Sequence, residues 1–337
     1  MKRFLRKLII AMLFGVAVYG VFVAWAGYRD IGASLTEFRW SAFGLALLLA
    51  SANYGLRFLK WEYYLARLEI RGVPKLDSLL VFLSGFVLTV TPGKVGEVFK
   101  SAVLAETHGV PAARTAPIVV AERLTDVIGV IALIVVGSLG FSGGLVWALI
   151  GSAAVATGML FVIWPAPGNA LIRRLEASRG RLSSLAPKLR QAFESLRIVA
   201  SPSALLWPSF LSVVGWGGEG FALYLLVRGF GVDLPAPLAM FFYATATLAG
   251  AVIPVPGGLG VAEAMIQEQL VRLARVPHSA ATSAMILIRF ATLWWAVVVG
   301  FVALAVLRAR FPRLMREGAD ADLEVGSAKK APETQAD

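Results

Sequence analysis

Long apolar blocks recur along this chain almost to residue 307, leaving only a polar loop and a short polar tail outside them. Blocks at residues 8–26, 41–58, 116–140, 145–164, 205–227 and 281–307 each come near the ~20 residues that an α-helix needs to cross a bilayer, so six full spans are expected. Two further blocks, 76–91 and 236–253, run into helix breakers, Thr91-Pro92-Gly93-Lys94-Val95-Gly96-Glu97 and Pro254-Val255-Pro256-Gly257-Gly258-Leu259-Gly260. At 1.5 Å per residue the first of these reaches only about 24 Å. After each break comes a shorter, more polar helical stretch, 98–106 with Lys100 and 261–273 with Gln267, Glu268 and Arg272, and neither could cross alone. The pattern predicts an all-α polytopic membrane protein of about six spans plus two broken or re-entrant helical hairpins.

Composition supports a lipid solvent. Of 337 residues 58% are hydrophobic and 16% charged, with mean hydropathy +0.74, against an apolar share of about 45–50% in soluble proteins. One transmembrane domain over residues 1–310 is the simplest count, with no room for a soluble catalytic domain. The absence of cysteine and the presence of only two histidines, His108 and His278, removes disulfides, thiol nucleophiles and thiolate metal sites, so no metal or cofactor is expected. Both histidines fall in turns before long helices, where capping or solvation is the expected role.

The formal charge of +11 marks topology here and does not call for a nucleic-acid partner. If each broken unit enters and returns to one side, the N-terminus and residues 57–77, 165–204 and 308–316 together hold 20 Lys and Arg, whereas the opposite loops hold Arg29, Arg39 and Arg228. The positive-inside rule then puts both termini in the cytoplasm of a bacterial inner membrane. Ala24-Trp25-Ala26 has the form of a cleavage site, but the apolar run before it exceeds the usual ~7–15 residues of a signal peptide, so an uncleaved first span is expected. Residues 165–204 read as a basic cytoplasmic loop, and 311–337, with an acidic polar end, as a disordered tail.

The functional signal lies in an internal repeat, residues 76–140 and 236–307. Glu97 and Glu263, Val110-Pro111 and Val276-Pro277, and Arg123 and Arg289 each pair at an offset of 166. Pro92-Gly93 and Pro256-Gly257 pair at 164. The expected topology inverts the two copies across the membrane, and inverted repeats with broken helices place a transport site at their interface near the midplane. Arg123 and Arg289 would both lie inside the hydrocarbon, at a cost of at least ~2.5–3.5 kcal/mol each unless they face a cavity or a partner. An internal ion pair is the competing account, with Glu122, Asp126, Glu97 and Glu263 available.

Arginine's planar fork matches phosphate, and glycine-rich breaks bare backbone N–H groups beside helix N-termini, so an anionic ligand is expected. Arg123, Arg289 and Lys94 are the candidate headgroup-binding residues. Glu97, Glu263, Asp126, Glu219 and Glu122 are candidates for ion pairing or proton coupling. The turns that shape the site are Pro92, Gly93, Gly96, Pro256, Gly257, Gly258 and Gly260. Glu219, flanked by Gly217, Gly218 and Gly220 inside an apolar block, stands out as an isolated acid. Gly257-Gly258-Leu259-Gly260 lacks the Lys-Ser/Thr and preceding strand of a nucleotide loop. Trp294-Trp295, Trp61 and Tyr63-Tyr64 read as packing or interfacial aromatics.

At Thr91 to Glu97, Glu122-Arg123-Leu124-Thr125-Asp126 and Pro254 to Glu263, the chain resembles the lysylphosphatidylglycerol synthase transmembrane, or flippase-like, family over roughly residues 5–310. In two-domain members the membrane part moves an aminoacylated phospholipid to the outer leaflet and a cytosolic domain makes it; single-domain relatives are linked to glycolipid, polyprenyl-phosphate or hopanoid pathways. The resemblance therefore implies translocation or binding of a lipid and argues against synthesis, and it points to Lys94, Glu97, Arg123, Asp126, Glu263 and Arg289.

The leading expectation is a non-enzymatic transporter of an anionic lipid, with no ATP motif and hence downhill or gradient-driven. The alternatives are a membrane-embedded lipid-phosphate-modifying enzyme and an accessory subunit that recruits a lipid-modifying enzyme through residues 165–204. The inverted reading makes a direct prediction on this cysteine-free background. Lys94→Cys and Gly258→Cys are each expected to react with an impermeant thiol reagent from one side of the membrane only, and from opposite sides; labelling of both from the same side excludes inversion.

Overall fold

The computed structural model describes residues 17–22, 24, 28–91, 97–138, 146, 149, 153, 186–253, 255–312 and 314, and every regular element among them is helical. In chain order these are α1 (Tyr28–Thr36), α2 (Trp40–Arg67), α3 (Lys75–Ser84) continued by a 3-10 turn (Gly85–Leu88), α4 (Phe99–His108), α5 (Ala112–Ser138) and α6 (Ala186–Val199). They are followed by α7 (Pro202–Gly229), α8 (Ala236–Val252), α9 (Val261–Glu268) with a π turn (Gln269–Leu273), α10 (His278–Arg289) with a second π turn (Phe290–Trp294), and α11 (Trp295–Arg310).

Three helical runs are long and apolar enough to cross a membrane: Trp40–Arg67, Pro202–Gly229 and the continuous His278–Arg310. They take in the expected spans at 41–58, 205–227 and 281–307. The fourth, 116–140, corresponds to α5, whose 27 residues are interrupted by Arg114, Glu122, Arg123 and Asp126. The spans expected at 8–26 and 145–164 lie largely outside the described residues, as do residues 165–185 of the basic loop and 315–337 of the tail. The count of six is thus not reproduced among the described residues.

Helix starts are set by caps, and hydropathy misplaced them. α5 begins at Ala112, directly after Pro111, and α10 at His278, directly after Pro277. The expected starts at 116 and 281 were late because Arg114 and Thr115, and His278 and Ser279, dilute the apolar signal of a first turn that the proline has already set. The correction sets both arginines further along: Arg123 and Arg289 are each the twelfth residue of their helix, about 16 Å from its start. His278 is the first residue of α10, and His108, which ends α4, lies 3.5 Å from Asp77, so neither stands in a free turn.

A larger correction concerns α2, which runs nine residues beyond the expected end at 58. Arg57 and Lys60 are then not loop residues: they are 7% and 1% exposed inside the bundle. Within the basic segment 165–204, residues 186–199 form α6, which packs against α5.

Two apolar cores occupy the ends of the bundle. One gathers Ala42 and Ala46 of α2, Leu133 and Ile134 of α5, Leu223 and Leu226 of α7, Phe242 of α8 and Ile288 of α10. The other gathers Trp61 and Tyr64 of α2, Phe82 of α3, Leu104 of α4, Ile118 of α5 and Leu304 of α11. On α5 the charged run Glu122, Arg123 and Asp126 falls between the two. α7 packs antiparallel on α2, and the Arg39 N–H donates to the Gly229 carbonyl at 3.1 Å.

Lipid offers no hydrophobic drive for helices to associate, so close approach through small residues matters. A Cβ on Gly300 of α11 would lie 2.6 Å from the Val87 nitrogen and 3.0 Å from the Phe86 carbonyl carbon, both backbone atoms that cannot turn aside. Gly44 of α2 has nothing within 4 Å of the same position. Gly300→Ala is therefore expected to destabilise the protein by about 1–3 kcal/mol and Gly44→Ala to be neutral or stabilising by up to about 1 kcal/mol. Thermal unfolding of both variants in the same detergent checks this; equal melting temperatures would show that α11 does not rest on the 3-10 turn.

Candidate functional site

The two hairpins meet beside their breaks. Val90 at the end of the first and Leu259 in the second share a small apolar cluster with Leu293 and Val297, and a Cβ on Gly257 would lie 3.4 Å from the Val90 Cα. The second turn needs its glycines, since Gly257, Gly258 and Gly260 have φ of +61°, +68° and +87°. Lys94, Pro92, Gly93 and Gly96 of the first tip lie outside the described residues.

Beneath this junction is a cavity of about 280 Å³. Its walls carry Arg57, Arg123 and Arg289, the acids Asp126 and Glu219, and hydroxyls from Tyr54, Thr89, Tyr243 and Thr292; both hairpins contribute, through Thr89 and Thr91 and through Gly257 and Gly258. At about 30 Å³ of liquid per water molecule this is room for roughly nine waters, or for a small polar headgroup.

Each repeat closes an ion pair of its own. Arg289 Nε donates to Glu263 Oε1 at 2.6 Å and Arg123 Nη2 to Glu97 Oε2 at 3.0 Å, so the partners are 26 residues apart in both copies. Of the open choices in the sequence, each arginine thus takes the glutamate of its own copy, and Arg123 takes Asp126 as well. Glu263, fully buried, also accepts from the Gly260 N–H at 2.7 Å and from the Tyr19 hydroxyl at 3.2 Å. Arg289 Nη2 donates to the Gly257 carbonyl at 2.8 Å, fastening α10 to the glycine turn.

The first copy is wider. Arg57 Nη2 reaches both oxygens of Glu97 at 3.3 Å, and Arg123 also lies 3.0 Å from Asp126 Oδ2. Asp126 Oδ1 accepts from Lys60 Nζ at 2.7 Å and from the Ser212 hydroxyl at 3.1 Å. Glu122, expected near Arg123, instead accepts from Lys100 Nζ at 2.5 Å, while that ammonium sits 4.6 Å and 5.1 Å from the ring centroids of Trp61 and Phe82. Glu219 carries no salt bridge among the described residues; Asn53 Nδ2 donates to one of its oxygens at 2.6 Å and the Tyr243 hydroxyl to the other. Gly215, one turn earlier on α7, leaves the space that Asn53 fills. Trp294 Nε1 donates to Tyr19 and Trp295 Nε1 to Ser51, each at 3.0 Å, which agrees with packing roles.

Reading blocks by hydropathy missed Arg57, Lys60 and Asn53. A signal existed: Asn53, Arg57, Lys60 and Tyr64 recur at spacings of four, three and four, a polar stripe on one helix face. The apolar block ends before the helix does, because the polar stripe on its buried face lowers the hydropathy.

A helical membrane protein whose two hairpins both line a partly open cavity carrying ion-paired arginines is the class that fold and site define. The chain belongs to the family described as the lysylphosphatidylglycerol synthase TM region, whose model matches residues 12–300. No curated protein matches it. Membership ties the chain to lipid handling in a membrane.

Removing one partner of a buried pair leaves the other uncompensated, at about 3–5 kcal/mol, while replacing both by apolar groups is far milder. Glu263→Ala is expected to lower stability by that amount, and Glu263→Ala with Arg289→Met to recover most of it. Chemical denaturation in mixed micelles measures both; a double variant as unstable as the single one would show that the pair is not coupled.

Proposed function

We propose that this protein is a lipid transporter, a flippase-type carrier that moves an anionic lipid between leaflets of a bacterial inner membrane with both termini in the cytoplasm. The observation that carries this reading is the partly open cavity between the two hairpins, whose largely apolar wall carries three arginines. Cavities of that kind are costly in a membrane protein and mark a path for a polar group. The headgroup enters the cavity and its acyl chains stay in the bilayer.

Inversion of the two copies supplies the alternating access. The matching Val-Pro starts and Glu-Arg pairs make α5 and α10 equivalent, and supporting their inversion, α5 runs from the core that holds Ile118 to the one that holds Leu133, whereas α10 with α11 runs from Ile288 in the latter to Leu304 in the former. A rocking of one copy against the other exposes the shared cavity to either side in turn. On this reading the protein performs no chemistry on the lipid, and the basic segment 165–204 is the surface on which a lipid-modifying partner would dock.

The test is transport. In phosphatidylcholine vesicles carrying a trace of NBD-labelled phosphatidylglycerol, the wild type is expected to bring inner-leaflet probe within reach of external dithionite. Arg123→Gln, which removes one charged contact, is expected to slow this about tenfold. Bleaching that stops at the outer-leaflet half for NBD-phosphatidylglycerol, NBD-phosphatidic acid and NBD-phosphatidylethanolamine alike overturns the proposal.

A further inference from the structure

The cavity's arginines are not equivalent. Arg289 is engaged at Nε by a fully buried carboxylate and at Nη2 by a turn carbonyl, and that carboxylate is held in turn by a backbone N–H. This closed network makes Arg289 a strut between α10 and the glycine turn. Arg123 is looser: its side chain is 24% exposed, and its Nε, although buried, has no hydrogen-bond partner among the described residues. Arg57, on α2, shares Glu97 with it through contacts of 3.3 Å, long beside the ~2.7–2.9 Å of a tight charged hydrogen bond.

Glu97 is 2% exposed and stands behind the cavity wall, whereas both guanidiniums that it joins line the cavity. One carboxylate is therefore shared by two arginines: Arg57 holds it only through the longer contacts, and Arg123 divides one nitrogen between Glu97 and Asp126, each at 3.0 Å. A phosphate presents more oxygens and as much or more negative charge, and matches two guanidinium forks where a carboxylate matches one. Thr89 adds an independent sign. Its hydroxyl is buried on the cavity wall and has no partner among the described residues, while those of Thr91, Thr125, Thr245 and Thr292 turn back onto helix carbonyls. A buried hydroxyl without a partner is costly unless a ligand supplies one.

We infer that Arg57, Arg123 and Thr89 form the phosphate subsite of the cavity, and that Glu97 is its resident competitor. The phosphoryl group of an entering lipid takes over the guanidinium donors that Glu97 holds. The inference rests on the cavity being a lipid headgroup site, and it separates the arginine pair that binds from the arginine that braces.

Binding tests it apart from transport. The full-length protein in detergent is titrated with phosphatidic acid and with diacylglycerol, read by native mass spectrometry, and with inorganic phosphate as competitor. Glu97→Gln, which keeps the shape and removes the competing charge, is expected to bind phosphatidic acid about tenfold more tightly, the equivalent of one charged hydrogen bond. Thr89→Val is expected to bind it several-fold more weakly at an unchanged melting temperature, because no contact within the protein is lost. Diacylglycerol should bind all variants alike.

Phosphatidic acid binding that does not tighten in Glu97→Gln, or does not weaken in folded Thr89→Val, overturns the subsite. Inorganic phosphate that displaces phosphatidic acid at comparable concentration assigns the subsite to free phosphate and overturns the lipid source; failure to displace it supports the lipid. A protein that shows these binding shifts but moves no lipid in vesicles keeps the subsite and loses the transporter reading. One that transports without them does the reverse.

Discussion

The architecture depends on keeping charges compensated where water is scarce. Among the described residues ten charged side chains from Arg57 to Arg289 are buried, among them Lys60, Lys100, Glu122 and Asp126, and a buried charge left alone is severely unfavourable. Each basic one is met by an acid from another part of the chain: Arg57 of α2 by Glu97 ahead of α4, Lys60 of α2 by Asp126 of α5, Lys100 of α4 by Glu122 of α5, Arg289 of α10 by Glu263 of α9. The pairs dictate which helices are neighbours. Apolar packing then fills the ends of the bundle, where any complementary surfaces would serve.

Compensation is uneven, and the unevenness carries the functional argument. The second hairpin is sealed by one arginine, one glutamate, a backbone N–H and a backbone carbonyl. In the first, Glu97 serves two arginines and Arg123 divides its contacts between Glu97 and Asp126. A rigid half beside a half whose charges can be re-partnered is a sound arrangement for admitting an anion, since exchanging one anion for another leaves the total charge balance intact.

Much of this was legible from the residues alone. The all-helical membrane class follows from apolar blocks too long for a soluble core. The two broken units follow from proline and glycine, whose backbone limits hold in any surroundings, and the spacing of 166 alone picks out Glu97, Glu263, Arg123 and Arg289. Helix boundaries were less legible, because a cap such as Pro111 or Pro277 starts a helix irrespective of the polarity of the turn that follows.

What only the tertiary structure decided is partnership. Sequence spacing says which residues share a helix face, and so could associate Asn53, Arg57 and Lys60, but nothing local says which other helix meets that face. Arg57 and Lys60 at the end of an apolar block have the same local signature as loop residues at a membrane surface; Asp126, 66 residues beyond Lys60, makes them interior. The sequence determined the class, the breaks and the repeated charged residues, because these rest on properties of single residues and short spacings. The pairing of the charges, the inequality of the two arginines and the cavity between them arise from contacts across the whole chain, and only the packed helices set those.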